Sequence, residues 1–324
     1  MKKIYVAGKM TDVPDFNFPA FDRNAAYLRS LGWDAVSPAD LDREAGHDPN
    51  SPEWSDREFT AEDYHAAMIR DYRALTECQA IAFIPGWETS KGALLERSFA
   101  SRLNLEMYRV DADNGYLEKE LLIGLTGFAQ AGKDTLANQF VNKFGFGRKG
   151  FADNLRGMLY AINPILPAPN WSEVGDGFGH NGVVRVSDYV DAFGWEKAKM
   201  DIPEIRQLLQ RLGTDGGRAH LGDNVWVDSL LNSPQSPRLV IPDCRFPNEV
   251  KAIKDRGGVV IRVNREGYGP INGHISETAS LGLEDFIVNN DGSPINMLTD
   301  ALYGLAELGV NIASVTDILA LVSE

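Results

Sequence analysis

"LLIGLTGFAQAGKDT", residues 121–135, decides how the chain is read. An apolar run ends at Gly127, and Gly132 and Lys133 follow at the spacing G-x-x-x-x-G-K, the outline of a phosphate-binding loop. In such loops, backbone N–H groups between the glycines cradle phosphate oxygens, the lysine reaches the outer phosphates, and a following Ser or Thr hydroxyl meets Mg²⁺. Here Asp134 takes the hydroxyl position and Thr135 comes one place later. An acidic group can hold Mg²⁺ through water, so Asp134 and Thr135 are both metal candidates. The surroundings suit the motif, with a buried strand before it and the helical stretch "GKDTLANQFVNKF" after it.

Downstream, residues 163–200 are rich in Pro, Gly and aromatics without a clean period, and predict an irregular insertion or lid. Beyond them the pattern gives a helix around "IRQLLQRL", a strand "RLVIPDC", a helix "PNEVKAIKDRG", a strand "GVVIRVN" and a terminal helix. Upstream, "KKIYVAG" is a short apolar run ending in glycine, as a buried parallel strand feeding a loop would be. "PAFDRNAAYLRSLGW" spaces Phe21, Ala25, Leu28 and Leu31 helically and stops at Gly32. "DAVSP" predicts a strand, 61–77 a helix, "AIAFIPG" a strand, "KGALLERSFASRLN" a helix and "LEMYRV" a closing strand. "DADNGYLEKE" interrupts this alternation. The expected organisation is α/β in two domains: residues 1–112, a linker at 113–120, and residues 121–324, each with a parallel sheet covered on both faces.

The chain has 324 residues, 44% hydrophobic and 24% charged, an ordinary globular composition long enough for two cores. Basic and acidic side chains number 13 and 20 up to residue 115 and 19 and 26 after it, so each part nets −7. That balance argues against duplex nucleic acid or a membrane as partner. A free nucleotide needs only a local pocket, so small-molecule nucleotides are the expected partners. Cys78 and Cys244 are far apart and form no C-x-x-C pair, which speaks against a zinc site or a disulfide framework. The apolar run in "MKKIYVAGKM" is too brief for a signal peptide and no stretch has the length of a membrane span. A cytoplasmic location is expected, the host cytoplasm if the chain is phage-encoded.

Beyond "GKDT", the second part contains "FADNLR", "RQLLQRLGTDGGR", "NVWVD", "PDCRFPNEV" and "HISE". In that order these motifs resemble the deoxynucleoside monophosphate kinases of tailed phages, relatives of adenylate kinase in which G-K-D-T is usual. The resemblance covers roughly residues 120–300. It implies a P-loop kinase domain with a helical lid, using ATP and Mg²⁺. Lys133, Gly127, Gly132, Asp134 and Thr135 would hold ATP. Arg206, Arg218 and Arg245 would meet the acceptor phosphate or the transferring group, because a guanidinium fork matches phosphate oxygens. Surface ion pairs are the plainer alternative for each arginine. Asp243 would reach Mg²⁺ through water or cap the turn that follows it, and Asp153 would contact the acceptor nucleoside or start a helix. His274 reads as structural, since phosphoryl transfer needs no imidazole.

Residues 4–8, "IYVAG", and 71–97, "DYRALTECQAIAFIPGWETSKGALLER", resemble the nucleoside 2-deoxyribosyltransferase superfamily, which includes hydrolases of deoxynucleoside 5′-monophosphates. "AGKMTDVPDFNFPAF" further resembles a widespread phage and bacterial branch of it. This implies a small flavodoxin-like domain in which Glu96 attacks the anomeric carbon and Asp71 holds the sugar hydroxyl or shuttles a proton. Two carboxylates with divided roles are the general device for cleaving glycosidic bonds. A place early in its helix would favour ionised Glu96 through the dipole. Ser90 and Gly92 match a phosphate-binding turn, while Tyr5, Gly8, Lys9 and Thr11 lie at or beside the first loop, which lines the family's pocket. The hydrolases carry small residues and an arginine where this chain has "GKMTD", so Lys9 would replace the arginine. Phe16, Phe18 and Phe21 would stack on a base or staple a helix. The whole reads as a bifunctional nucleotide enzyme, with a homo-oligomer implied by the resemblance. The alternatives are a kinase with a non-catalytic sensing domain, and a nucleotide-sequestering protein.

Overall fold

The computed structural model describes residues 1–51, 60–167, 182–232, 236–270 and 278–312. Its first sheet is built from β1 (Lys3–Ala7), β2 (Asp34–Val36), β3 (Ala80–Phe83), β4 (Glu106–Asp111) and β5 (Tyr116–Lys119) in the order β2-β1-β3-β4-β5. The first four are parallel. Side chains alternate across the pleat, so each strand feeds two cores. Ile4, Val6, Ala80 and Ala82 pack under α1 (Phe18–Ser30), with Phe18, Phe21, Ala25 and Leu28, and against Ala39 of α2 (Pro38–Glu44). Tyr5, Ala7, Ile81 and Phe83 face Leu75 of α3 (Ala61–Thr76) and Ala93 and Ala100 of α4 (Lys91–Arg102). Between β2 and β3 the chain crosses over β1, so the strand order reverses there, and the carboxyl ends of β1 and β3 open beside the start of α4. Such a switch point is where open α/β sheets bind ligands.

Two expectations are corrected. The stretch 113–120 is not a plain linker: β5 lies within it and pairs antiparallel with β4, giving the sheet a non-parallel edge. The turn between them is closed by the Asp111 carboxylate, which accepts from Asp113 N and Asn114 N at 3.1 and 3.3 Å, with Gly115 at φ +62°. Asp, Asn and Gly favour linkers and turns alike. Phe18 and Phe21 are core residues, which excludes them from stacking on a base, while half-buried Phe16 packs at the rim of the same core.

The second sheet comprises β6 (Leu121–Thr126), β7 (Gly147–Arg148), β10 (Arg238–Ile241), β11 (Val259–Asn264) and β12 (Phe286–Asn289). All strands are parallel in the order β12-β11-β6-β10-β7, which places β6 at the centre. On one face Ile123, Leu125, Val240 and Ile261 meet Leu136, Ala137 and Phe140 of α5 (Lys133–Phe144) and Leu298, Leu302 and Leu305 of α12 (Pro294–Glu307). On the other, Leu239, Ile241 and Val260 meet Leu230 of α10 (Val225–Leu231) and Val250 and Ile253 of α11 (Pro247–Lys254). A side cluster of helices stands beside this sheet. It is made of α6 (Asp153–Ile162), a two-stranded ribbon of β8 (Ile165–Pro167) and β9 (Val183–Arg185), α7 (Val186–Asp201) and α8 (Pro203–Arg211). α8 runs through a π-helical turn, Leu212–Arg218, into the short α9 (Ala219–Leu221). Within the described part of the segment expected to be irregular, residues 186–200 belong to α7, kinked at Gly194, with Val186, Tyr189 and Ala198 buried. Its period escapes a sequence reading because the kink puts the two halves of the apolar stripe out of phase. "HISE" and His274 lie outside the described residues.

Candidate functional site

The phosphate loop follows from packing constraints on two glycines. A Cβ on Gly127, at φ +127°, would lie 2.2 Å from Val263 O of β11, and one on Gly132, at φ +110°, 2.3 Å from Asn290 Nδ2. Only glycine satisfies both the positive φ and the close approach. Asn290 donates to Ala131 O at 2.8 Å, tying the loop to the segment after β12. Lys133 opens α5 and is buried, and its ammonium donates to Gly127 O at 2.8 Å and Phe128 O at 2.6 Å. Burial and the nearby Arg245 charge pull it down to about 8 against the opposing pull of Asp134 and Asp243. Loops and helix amino ends of this form can receive an anion.

Beside the loop lies a cavity of about 670 Å³ lined by Lys133, Asp134, Asp153, Arg206, Arg218, Asp243 and Arg245. These come from the phosphate loop, α6, α8, the π-turn and the loop after β10, so the tertiary structure brings together residues spread along the second part of the chain. Gly127, Gly132 and Thr135 belong to the loop and its helix but do not face the cavity. Arg206 and Arg245 form no ion pair or side-chain hydrogen bond with a described residue, so their donors remain available to a ligand. Arg218 differs. It donates to Glu249 at 2.8 Å and to Asp223 O at 2.9 Å and lies 4.1 Å over the Phe246 ring, so it holds the wall of the cavity more than its contents. Asp153 starts α6 and accepts from Gly150 N at 2.6 Å.

Two of the metal candidates are already engaged within the protein. Asp134 pairs with Arg148, and Asp243 accepts from Phe151 N at 2.8 Å and Ala152 N at 3.0 Å, so it holds the distant turn before α6 instead of the turn that follows it in the chain. Among the described residues no group of three or more His, Cys, Asp or Glu is arranged to hold a metal ion. A magnesium ion in such a site would rest mainly on substrate phosphates.

Sequence reasoning missed several residues of this wall. Arg148, Arg156, Lys199 and Glu249 also line the cavity. Arg156 pairs with Asp153 and Lys199 with Glu196, both local contacts that sequence spacing of three residues could have signalled. The π-turn was visible only as "LGTDGGR". In it Gly213 and Thr214 face the cavity, and the Gly213 carbonyl accepts from Trp226 Nε1 at 2.9 Å. π-helical turns often mark functional positions.

In the first part, Tyr5 of β1 donates from its hydroxyl to Glu96 Oε1 at 2.7 Å, and Asp71 of α3 lies beside them. Glu96 is 8% exposed. Burial and the Asp71 charge push its carboxyl up to about 8, while burial and the Asp42 charge push Asp71 up to about 7. This corrects the expectation of an ionised Glu96. It stands six residues into α4, past the first turn where the dipole acts, and desolvation wins. Asp71 Oδ1 is buried without a hydrogen-bond partner among the described residues. Arg70, next in sequence, pairs with Asp42. Ser90 caps α4 by accepting from Ala93 N at 3.2 Å and its hydroxyl approaches Gly8 O at 3.4 Å, joining the first loop to the helix start. Gly8 must be glycine, since a Cβ would lie 2.4 Å from Ile84 Cγ1, whereas one on Gly92 would meet only Ser90 Oγ at 3.8 Å. The Lys9 ammonium forms no hydrogen bond or ion pair with a described residue.

Among the described residues no helix is long and apolar enough to cross a membrane. Residues 2–109 match the model of a domain of unknown function (DUF4406). Residues 185–301 match that of the deoxynucleotide monophosphate kinases, a match that starts beyond the phosphate loop. Over 195 residues the chain is 28% identical to a protein of Acanthamoeba polyphaga mimivirus provisionally named a deoxynucleotide monophosphate kinase, covering 52% of this chain and 89% of that protein. Among solved structures, shikimate kinase from Aquifex aeolicus vf5 aligns with a TM-score of 0.30 at 11% identity, over 59% of this chain and 99% of that one. The carboxy-terminal part of the chain is therefore similar to the deoxynucleotide monophosphate kinases, and the amino-terminal part to a domain family whose function is undefined.

Proposed function

We propose that residues 121–324 form a unit that transfers a phosphoryl group from ATP to a deoxynucleoside monophosphate. The observation that carries this is one cavity lined by both the phosphate-loop lysine and two guanidinium groups, Arg206 and Arg245, that have no ion-pair partner among the described residues. The loop N–H groups and Lys133, released from its two carbonyls, would hold the ATP phosphates. Arg206 and Arg245 would orient the acceptor phosphate, with Asp153 toward its nucleoside. The attacking oxygen belongs to a phosphate already largely ionised at neutral pH, so no general base is required and catalysis is positioning plus charge neutralisation. Magnesium carried in with ATP neutralises phosphate charge, and Asp134, Thr135 and Asp243 are the protein groups that could meet its waters. The test is incubation with each deoxynucleoside monophosphate and ATP–Mg²⁺, separating products by chromatography. Diphosphate is expected, and Lys133→Ala should lower its rate by about 10²–10³-fold, the scale for one lost charge-stabilising donor. A parental rate from that variant would remove the assignment.

A second reading concerns residues 1–112, and the buried Tyr5–Glu96–Asp71 group favours it. Here Glu96, once deprotonated, would attack the anomeric carbon of a deoxynucleoside monophosphate, breaking the N-glycosidic bond so that the base leaves with a proton, and water or another base would then resolve the glycosyl ester; Asp71 would sit on the sugar hydroxyl and Ser90, Gly92 and Lys9 toward the phosphate. Free base in the same chromatograms supports it. Nucleotide binding to this part without base release favours a sensing domain, and binding without either product favours sequestration.

A further inference from the structure

Arg245 sits in an irregular loop, Pro242–Phe246, between β10 and α11, so the aim of its side chain depends on what fixes that backbone. One side chain does most of this. Glu249, only 3% exposed in the first turn of α11, accepts from Arg245 N at 2.7 Å and Phe246 N at 3.0 Å through Oε2. Its Oε1 accepts from Arg218 at 2.8 Å, and Arg218 in turn stacks on Phe246 and holds Asp223 O. Capping α11 needs only the Phe246 N–H. The bond to Arg245 N, before the helix, and the ion pair to the π-turn go further, joining two walls of the cavity through one carboxylate. Asp243, in the same loop, ties it to Phe151 and Ala152 in a third wall.

We infer that Glu249 is a positioning residue of the phosphoryl-transfer site: with Arg218 it fixes the backbone at residues 245–246, so that the Arg245 guanidinium is presented to the acceptor phosphate. The inference rests on the kinase reading above. Glutamine at 249 keeps one acceptor oxygen but turns an NH₂ group toward either Arg218 or the two backbone N–H groups, so one half of the junction fails.

A double-mutant cycle tests this. Glu249→Gln should raise the KM for the monophosphate about tenfold, the scale of one charge-assisted hydrogen bond, with the KM for ATP within about twofold. In an Arg245→Ala background the same substitution should change the monophosphate KM by less than about twofold, because the group it positions is gone. Glu249→Asp, which keeps the charge on a shorter side chain, should recover part of the loss and replaces Gln in the cycle if that variant does not fold. A parental KM for Glu249→Gln, or an equal effect in both backgrounds, overturns the inference. If the parent protein makes no diphosphate, the kinase reading fails, and the cycle is read from calorimetric binding of a deoxynucleoside monophosphate. There, loss of affinity confined to the Arg245 background supports positioning, and equal or no loss overturns it.

Discussion

At the scale of single residues, environment and not residue type sets the chemistry. Lys133 and Glu96 are both buried, and both are driven toward their neutral forms, the lysine down and the glutamate up. For Glu96 and Asp71 the sign follows directly. Their folded values lie above the usual carboxylate range, so between about pH 4 and 8 the folded state binds protons that the unfolded chain releases, and stability falls as pH rises through that window. Replacing Glu96 by Gln removes one such group. The melting temperature of Glu96→Gln should therefore decline less between pH 5 and 9 than that of the parent, measured by differential scanning calorimetry; parallel slopes would contradict the burial argument. Any base release by the parent should rise with pH up to about 8, as the nucleophile ionises, and be lost in the same variant. Glu96 was identifiable from the sequence as a carboxylate in a recognisable register. Its protonation was not, because desolvation is a property of the packed interior.

At the scale of elements, the π-turn Leu212–Arg218 depends on small residues for packing. A Cβ on Gly217 would come within 2.4 Å of the Trp226 ring and 3.1 Å of Leu212 O, whereas one on Gly216 would meet nothing nearer than Arg211 O at 3.6 Å. Gly217→Ala should therefore cost about 1–3 kcal/mol by overpacking, while Gly216→Ala should be neutral or slightly stabilising. Denaturant unfolding of the pair checks this, and equal effects would show that Trp226 yields. Because Gly213 and Thr214 face the cavity, the first change should also weaken monophosphate binding. The longer strands and most helices were legible from apolar spacing, since buried strands and amphipathic helices write their period into the chain. The π-turn and the strands β5, β7, β8, β9 and β12 were not. These strands have two to four residues each, too few to show a period, and they are stabilised by what they pair against.

At the scale of the whole molecule, the passage from the first sheet to the second is anchored by buried charge. Glu120, between β5 and β6, accepts from Arg97 of α4 at 2.7 and 2.9 Å and from Arg109 of β4 at 2.7 Å. Both guanidinium groups stack near Trp87, at 5.3 and 4.3 Å, and Arg109 also pairs with Glu88. Side-chain exposures of 11–13% make this a desolvated network. Glu120→Ala would leave Arg97 without its acid partner and should cost about 3–5 kcal/mol, read as a fall in the thermal unfolding midpoint. A loss near 0–1 kcal/mol, the range of surface ion pairs, would show the network to be loosely solvated. The chain by itself determined the α/β class, two successive apolar alternations, and the glycine–lysine loop with its unusual Asp134, because periodicity and motif spacing are local properties of a sequence; Glu96 and Asp71 were singled out only through a family resemblance. Only the tertiary structure decided that Lys133, Arg206 and Arg245 share one cavity, that Arg218 and Glu249 build its wall, and that burial pushes the Glu96 carboxyl upward, because convergence and burial arise between residues far apart in the chain.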